Sequence, residues 1–129
     1  MLEELSIVSL NRYGFEGVEF PHDFNYTVSI TDLDLETKRL FIKVELVIEP
    51  QDEEQPDRPF KLKVVAIGEF NVDVDAFPVE HLSDWAFNNG SLILYPYVRE
   101  QAYGLTVRAG FKPILLPLFE IPTFKIQKA

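Results

Sequence analysis

Between Phe60 and Val74 every second residue is apolar or small: Phe60, Leu62, Val64, Ala66, Gly68, Phe70, Val72 and Val74. The residues between them include Lys61, Lys63, Glu69, Asn71 and Asp73. A period of two over this length fits a strand with one buried and one wet face, and does not fit a helix. Leu40, Ile42, Val44, Leu46 and Ile48 repeat the pattern upstream, with Lys43 and Glu45 on the other parity. EPQDEEQPDRP separates the two runs and reads as a solvated hairpin loop, because prolines and acids break pairing. Gly68 marks an expected bend or bulge in the second strand.

Two earlier runs are less regular. Val28 and Ile30 hold one parity and Leu33 and Leu35 the other, which predicts a bulge. A first run from about Ser6 to Phe20, broken by Gly14 and Gly17, reads as a bent strand. Four strands joined by short connections favour an antiparallel sheet over βαβ units.

The second half changes period. Val79, Leu82, Trp85 and Ala86 behind Pro78 predict a short helix that ends near Asn88-Asn89-Gly90. An apolar run, Leu92 to Tyr95, then meets Pro96 at the first turn of a longer helix, with Tyr95, Val98, Ala102, Leu105 and Ala109 on one face. Gly110 stands where a left-handed C-terminal cap is expected. The following KPILLPLFEIPTFKIQKA, with three prolines, reads as extended. Tyr97, Gln101, Gly104 and Arg108 line the opposite face of the long helix. A solvated helix would carry Lys and Glu there, so this row suits burial against another element or a second copy of the chain.

The 129 residues are of the size of one domain, taken as 1–129, and 47% hydrophobic content argues against disorder. No apolar stretch is long enough for a membrane helix, and no secretory leader is evident, so a cytoplasmic protein without membrane insertion is expected. Absent cysteine excludes disulfides and thiolate chemistry. A net charge of -9 argues against a nucleic-acid partner. His22 and His81 have no metal-ligand spacing, and the pairs Asp32/Asp34 and Asp73/Asp75 read as solvated faces of strands. With no nucleophile or phosphate-binding motif, no enzymatic activity, metal or cofactor is expected. Eleven Phe, five Tyr and one Trp exceed what a core of this size requires, and such side chains suit contact with apolar peptide.

Residues 92–119, LILYPYVREQAYGLTVRAGFKPILLPLF, strongly resemble the C-terminal half of the SecB family of protein-export chaperones. Leu94, Tyr95, Pro96, Tyr97 and Arg99 match the family's leucine-phenylalanine-proline-tyrosine-alanine-arginine type of run. Arg108, Gly110, Phe111 and Pro113 match its arginine-glycine-phenylalanine-proline turn with one residue inserted, and Leu115, Leu116 and Pro117 match its leucine- and proline-rich segment. The resemblance implies an α+β fold: a four-stranded antiparallel sheet, a short helix, one long helix and an extended proline-rich C-terminal tail. It implies assembly as dimers or dimers of dimers, with Tyr97, Gln101, Gly104 and Arg108 at the interface. It also implies ATP-independent holding of unfolded or disordered polypeptides, for export, in an apolar groove drawn from Phe20, Phe24, Val28, Ile30, Leu33, Leu35, Phe111, Leu115, Leu118 and Phe119.

The sequence departs from the family in two places. Lys61, Lys63, Gly17 and Pro21 stand where carboxylates and apolar groups of the face that docks the SecA motor would be expected, which leaves SecA open as a partner. With Pro122 in a short tail, no counterpart of the family's second C-terminal helix, the groove's lid, is expected. The alternative is therefore a partner-binding protein of the same fold dedicated to one client, such as an antitoxin or a phage protein. A small enzyme of hot-dog shape fits poorly, since both helices come late.

Overall fold

A computed structural model describes residues 1–10, 23–52, 54, 57–116 and 125–128. Strands β1 (Leu2–Ser9), β2 (Asn25–Ile30), β3 (Arg39–Ile48) and β4 (Phe60–Asn71) form the antiparallel part of one sheet. A short β5 (Lys125–Lys128) joins the outer edge of β2 in parallel, giving the order β1-β4-β3-β2-β5. The fifth strand comes from the tail that the sequence marks only as extended.

The alternating residues do what their period requires. Leu40, Ile42, Val44, Leu46 and Ile48 of β3 are all essentially inaccessible, and stand opposite Phe70, Gly68, Ala66, Val64 and Leu62 of β4. Each such side chain contributes roughly 1.5–3 kcal/mol of burial. Tyr26 and Val28 continue the same face through β2. β1 begins at Leu2, earlier than the sequence suggests, and the rest of the run to Phe20 lies outside the described residues.

The parity change after Ile30 is the end of β2 rather than a bulge. The chain turns over Asp34–Arg39, with Lys38 in the left-handed region (φ 58°) and the Asp34 carboxylate accepting the Glu36 amide at 2.9 Å. Gly68 does not bend β4 either, since it pairs in register with Ile42. A Cβ there would lie 2.9 Å from Leu94 and 2.8 Å from Phe70, so glycine admits the helix onto the sheet. The ladder's irregularity is in β1, between Leu2 and Glu4.

From Val79 to Arg108 the backbone is helical throughout. A 3-10 turn (Val79–His81) leads into α1 (Leu82–Trp85), a π turn (Ala86–Gly90) follows, and α2 (Ser91–Arg108) continues without a break. Asn88-Asn89-Gly90 thus widens the helix instead of ending it, and Leu92–Tyr95 is helical, with Pro96 inside α2. The reason is packing: a Cβ on Gly90 would collide with the Cδ1 of Ile42, so the π turn rests directly on β3. Tyr26 donates its buried hydroxyl to the Ser91 carbonyl at 2.6 Å, fastening the start of α2 to the sheet. Burial, followed by the neighbouring Tyr95, pushes the Tyr26 pKa up and keeps it a donor. At the other end Gly110 has φ 83°, and Phe111 donates to Thr106 at 3.0 Å, closing the helix as expected.

After Phe111 the chain runs back along α2. The Ile114 amide donates to Thr106 Oγ1 at 3.1 Å, and Arg99 Nε donates to the Leu116 carbonyl at 2.6 Å. Ile114 and Leu116 are buried, while Leu115 between them faces out.

Candidate functional site

The long helix has two apolar faces. Leu94, Tyr95, Val98, Ala102 and Thr106 are buried, Thr106 against the returning segment at Ile114. On the outside, Ile93, Tyr97, Gly104 and Val107 recur at helical spacing, with Tyr103 beside them. Tyr97 is 62% exposed, and Ile93, Tyr103 and Val107 are nearly half exposed. The row Tyr97, Gln101, Gly104, Arg108 is therefore outward-facing, with Gln101 and Gly104 partly covered and Arg108 exposed. Ile93, Tyr103 and Val107 were not read from the sequence, although Ile93 stands four residues before Tyr97 and Val107 three residues after Gly104.

Gly104 sits in the middle of this face. Among the described residues a Cβ there would meet only the Arg108 guanidinium, at 3.0 Å, so none of them requires glycine. A glycine inside a helix costs about 0.5–1 kcal/mol relative to alanine.

Two cavities flank α1 at the end of the sheet where β2 stops and β3 starts. One, of about 200 Å³, is lined by Ile30, Leu33, Leu40, Val79, Leu82 and Ala86, with Thr31, Asp32 and Ser83 at its polar side. The other, of about 280 Å³, lies between Phe70, Val72, Phe77, Leu82 and Trp85. Trp85 meets Phe70 and Phe77 edge-on, with ring centroids 6.0 and 6.1 Å away. Leu82 is shared by both. Of these residues only Ile30 and Leu33 stand among the sequence-derived groove positions. The lone tryptophan eight residues after Phe77 was the available signal for the second cavity.

The other groove positions are spread out. Phe24 stacks on Tyr95 at 6.3 Å, Val28 lies in the core under the helix, and Phe111 packs on Phe60 at 5.1 Å. Leu35 is 75% exposed on the turn before β3, and Leu115 is exposed on the returning segment. Phe20, Leu118 and Phe119 lie outside the described residues.

Polar groups are used in structure. Arg58, fully buried, donates to the Asp23 carbonyl at 3.0 Å and carboxylate at 2.8 Å, and to Asp57 at 3.1 Å, clasping the β3–β4 loop to the start of β2. Its hydrogen bond holds the Asp23 carboxyl below the ordinary value of 3.8. Asp73 accepts the Asp75 and Ala76 amides, and Asp34 those of Glu36 and Thr37, so both acids are turn-formers rather than members of a strand face. Among the described residues no cluster of three His, Asp or Glu could hold a metal, and no helix is long and apolar enough to cross a membrane. On the open sheet face Lys63 bridges Glu4 and Glu45, and Lys43 meets Glu3, so its charges are paired instead of uniformly acidic. Gly17 and Pro21 lie outside the described residues.

No family model and no curated protein matches the chain. Among solved structures, a SecB-like chaperone of Mycobacterium tuberculosis, in complex with a ChAD peptide from the HigA1 antitoxin, matches 93% of this chain and 83% of its own at 18% identity, with a TM-score of 0.70. A Streptococcus agalactiae protein of unknown function matches over 92% of both chains at 17% identity, with a TM-score of 0.44. The chain thus has the SecB-like fold that residues 92–119 imply.

Proposed function

We propose that this protein is an ATP-independent chaperone or peptide-binding protein that holds unfolded or disordered polypeptide on apolar surface. The observation that carries the reading is the pair of cavities flanking α1 that share Leu82 as a wall, one mixed apolar and polar and the larger lined by the aromatic rings of Phe70, Phe77 and Trp85. Cavities of this size accept individual apolar side chains of an extended chain, and aromatic walls supply contact area without demanding one sequence. The SecB-like fold supports the same reading. Tyr97, Gln101, Gly104 and Arg108, extended by Ile93 and Val107, form the surface on which protomers assemble.

A dedicated single-client role is the second reading. It is favoured by the charge-paired open sheet face, and by the antitoxin peptide bound to the mycobacterial relative in fold. An aggregation assay tests the shared claim. At stoichiometric ratio and without nucleotide, the protein suppresses aggregation of a denatured test protein or binds one partner tightly; if it does neither, both readings fail. Capture from lysate then separates them, by a broad set of preproteins against one dominant partner. Capture of SecA would speak for export.

A further inference from the structure

β5 differs from every other strand. It spans four residues at the rim of the sheet, pairs in parallel where all other pairs are antiparallel, and has β2 as its main contact. Its described register, Asn25 to Lys125 through Val28 to Lys128, leaves Ser29 and Ile30 of β2 beyond it. Two residues of strand span about 7 Å. Ile30 is also a wall of the cavity that Leu33, Leu40 and Leu82 complete. The β2 edge therefore leads along its own length to a cavity with an apolar side formed by Ile30, Leu33, Leu40 and Leu82.

We propose that the β2 edge is a strand-acceptor site, occupied in cis by β5, and that an extended segment of a polypeptide partner takes it over. The incoming segment runs parallel to β2 in the place of β5, continues past Val28, and sets an apolar side chain in the cavity at Ile30 and Leu33. This rests on the polypeptide-binding reading and gives it a docking geometry. Exchange of one strand for another conserves the backbone hydrogen bonds, so the cost of displacing β5 is largely returned by the new pairing. The surplus is the side chain buried beyond the reach of the described β5 pairing. Asp32 stands just past the end of β2 at the polar side of the cavity, and β5 itself carries Lys125 and Lys128, so the site favours an apolar segment with a basic flank.

Because the chain has no cysteine, a single engineered pair can lock β5 down. Thr27 and Gln127 are register partners, which suits Thr27→Cys with Gln127→Cys. The probe is fluorescein-labelled, reduced and carboxymethylated α-lactalbumin, which stays unfolded. We expect an intramolecular disulfide under oxidation, binding weakened roughly tenfold or more, and full recovery on reduction. Removal of residues 125–129 strengthens binding severalfold. A disulfide that forms only between chains would overturn occupation in cis, and failure to form one would overturn the register. Equal binding by the oxidised and reduced forms, alongside binding by the unaltered protein, would refute strand exchange alone. Absence of binding by the unaltered protein would refute the polypeptide-binding reading and this inference together.

Discussion

Gly104→Ala gives opposite signs depending on what covers the outer face of α2. Among the described residues of one protomer the new methyl meets only the Arg108 guanidinium, with Nη1 at 3.0 Å and Cζ at 3.8 Å, and that exposed side chain can swing away. Relief of the helical glycine penalty should then stabilise the fold by about 1 kcal/mol, a rise in Tm of roughly 3–6 °C for a chain of this length. If a second copy packs its helix on Ile93, Tyr97 and Val107, Gly104 lies at the closest approach, and a methyl there overpacks the contact. Overpacking costs about 1–3 kcal/mol, and symmetry places it in both copies. Assembly should weaken by at least about tenfold. Light scattering on a size-exclusion column over a range of concentrations reads the mass, and thermal scans at low and high concentration read the coupling. The assembly account expects Gly104→Ala to dissociate at concentrations where the unaltered protein stays associated. A variant with higher Tm and unchanged mass would refute it, as would an unaltered protein that is monomeric at micromolar concentration.

Gly90→Ala should destabilise by roughly 1–3 kcal/mol, because its Cβ enters the space of Ile42; adding Ile42→Val should return part of the loss in chemical denaturation, whereas Ile42→Val alone should cost stability. Tyr26→Phe removes the buried hydroxyl that serves the Ser91 carbonyl, and should cost about 1–2 kcal/mol with no change in the circular-dichroism spectrum of the folded protein. The Asp23 carboxyl has a folded-state pKa below 3.8, so its contribution is present above that value and is lost as pH falls through the folded value. Arg58→Met should therefore reduce stability at neutral pH and flatten the acid limb of the stability profile below about pH 4, measured by urea midpoints across pH.

The sheet and the long helix were legible because their signals are local. The alternation of Leu40 to Ile48 and Phe60 to Phe70 fixes faces without knowledge of partners, and Gly110 announces its own left-handed cap. The family-like residues of 92–116 also have visible tasks: Leu94 and Tyr95 in the core, Arg99 on the Leu116 carbonyl, Phe111 against Phe60. What misled were residues whose role is set by something distant. Gly68 and Gly90 look like breakers, yet they are contact points for Leu94 and Ile42 across the layer. Asp34 and Asp73 look like strand carboxylates, and hold turns instead. The apolar site was only partly legible for the same reason: Ile30 and Leu33 meet Leu40, Val79 and Leu82 through the fold, and no spacing along the chain links them.

Fluorescence anisotropy with labelled, unfolded α-lactalbumin is the most direct test of the central claim. Titration with this protein, without nucleotide, should give saturable binding, and native α-lactalbumin should not compete. Replacing Leu82 by Asn, facing both cavities at once, should weaken binding with the fold retained by circular dichroism. Saturable binding untouched by Leu82→Asn would move the site elsewhere. A flat titration, with a panel of unfolded and disordered polypeptides also unbound, would contradict the account.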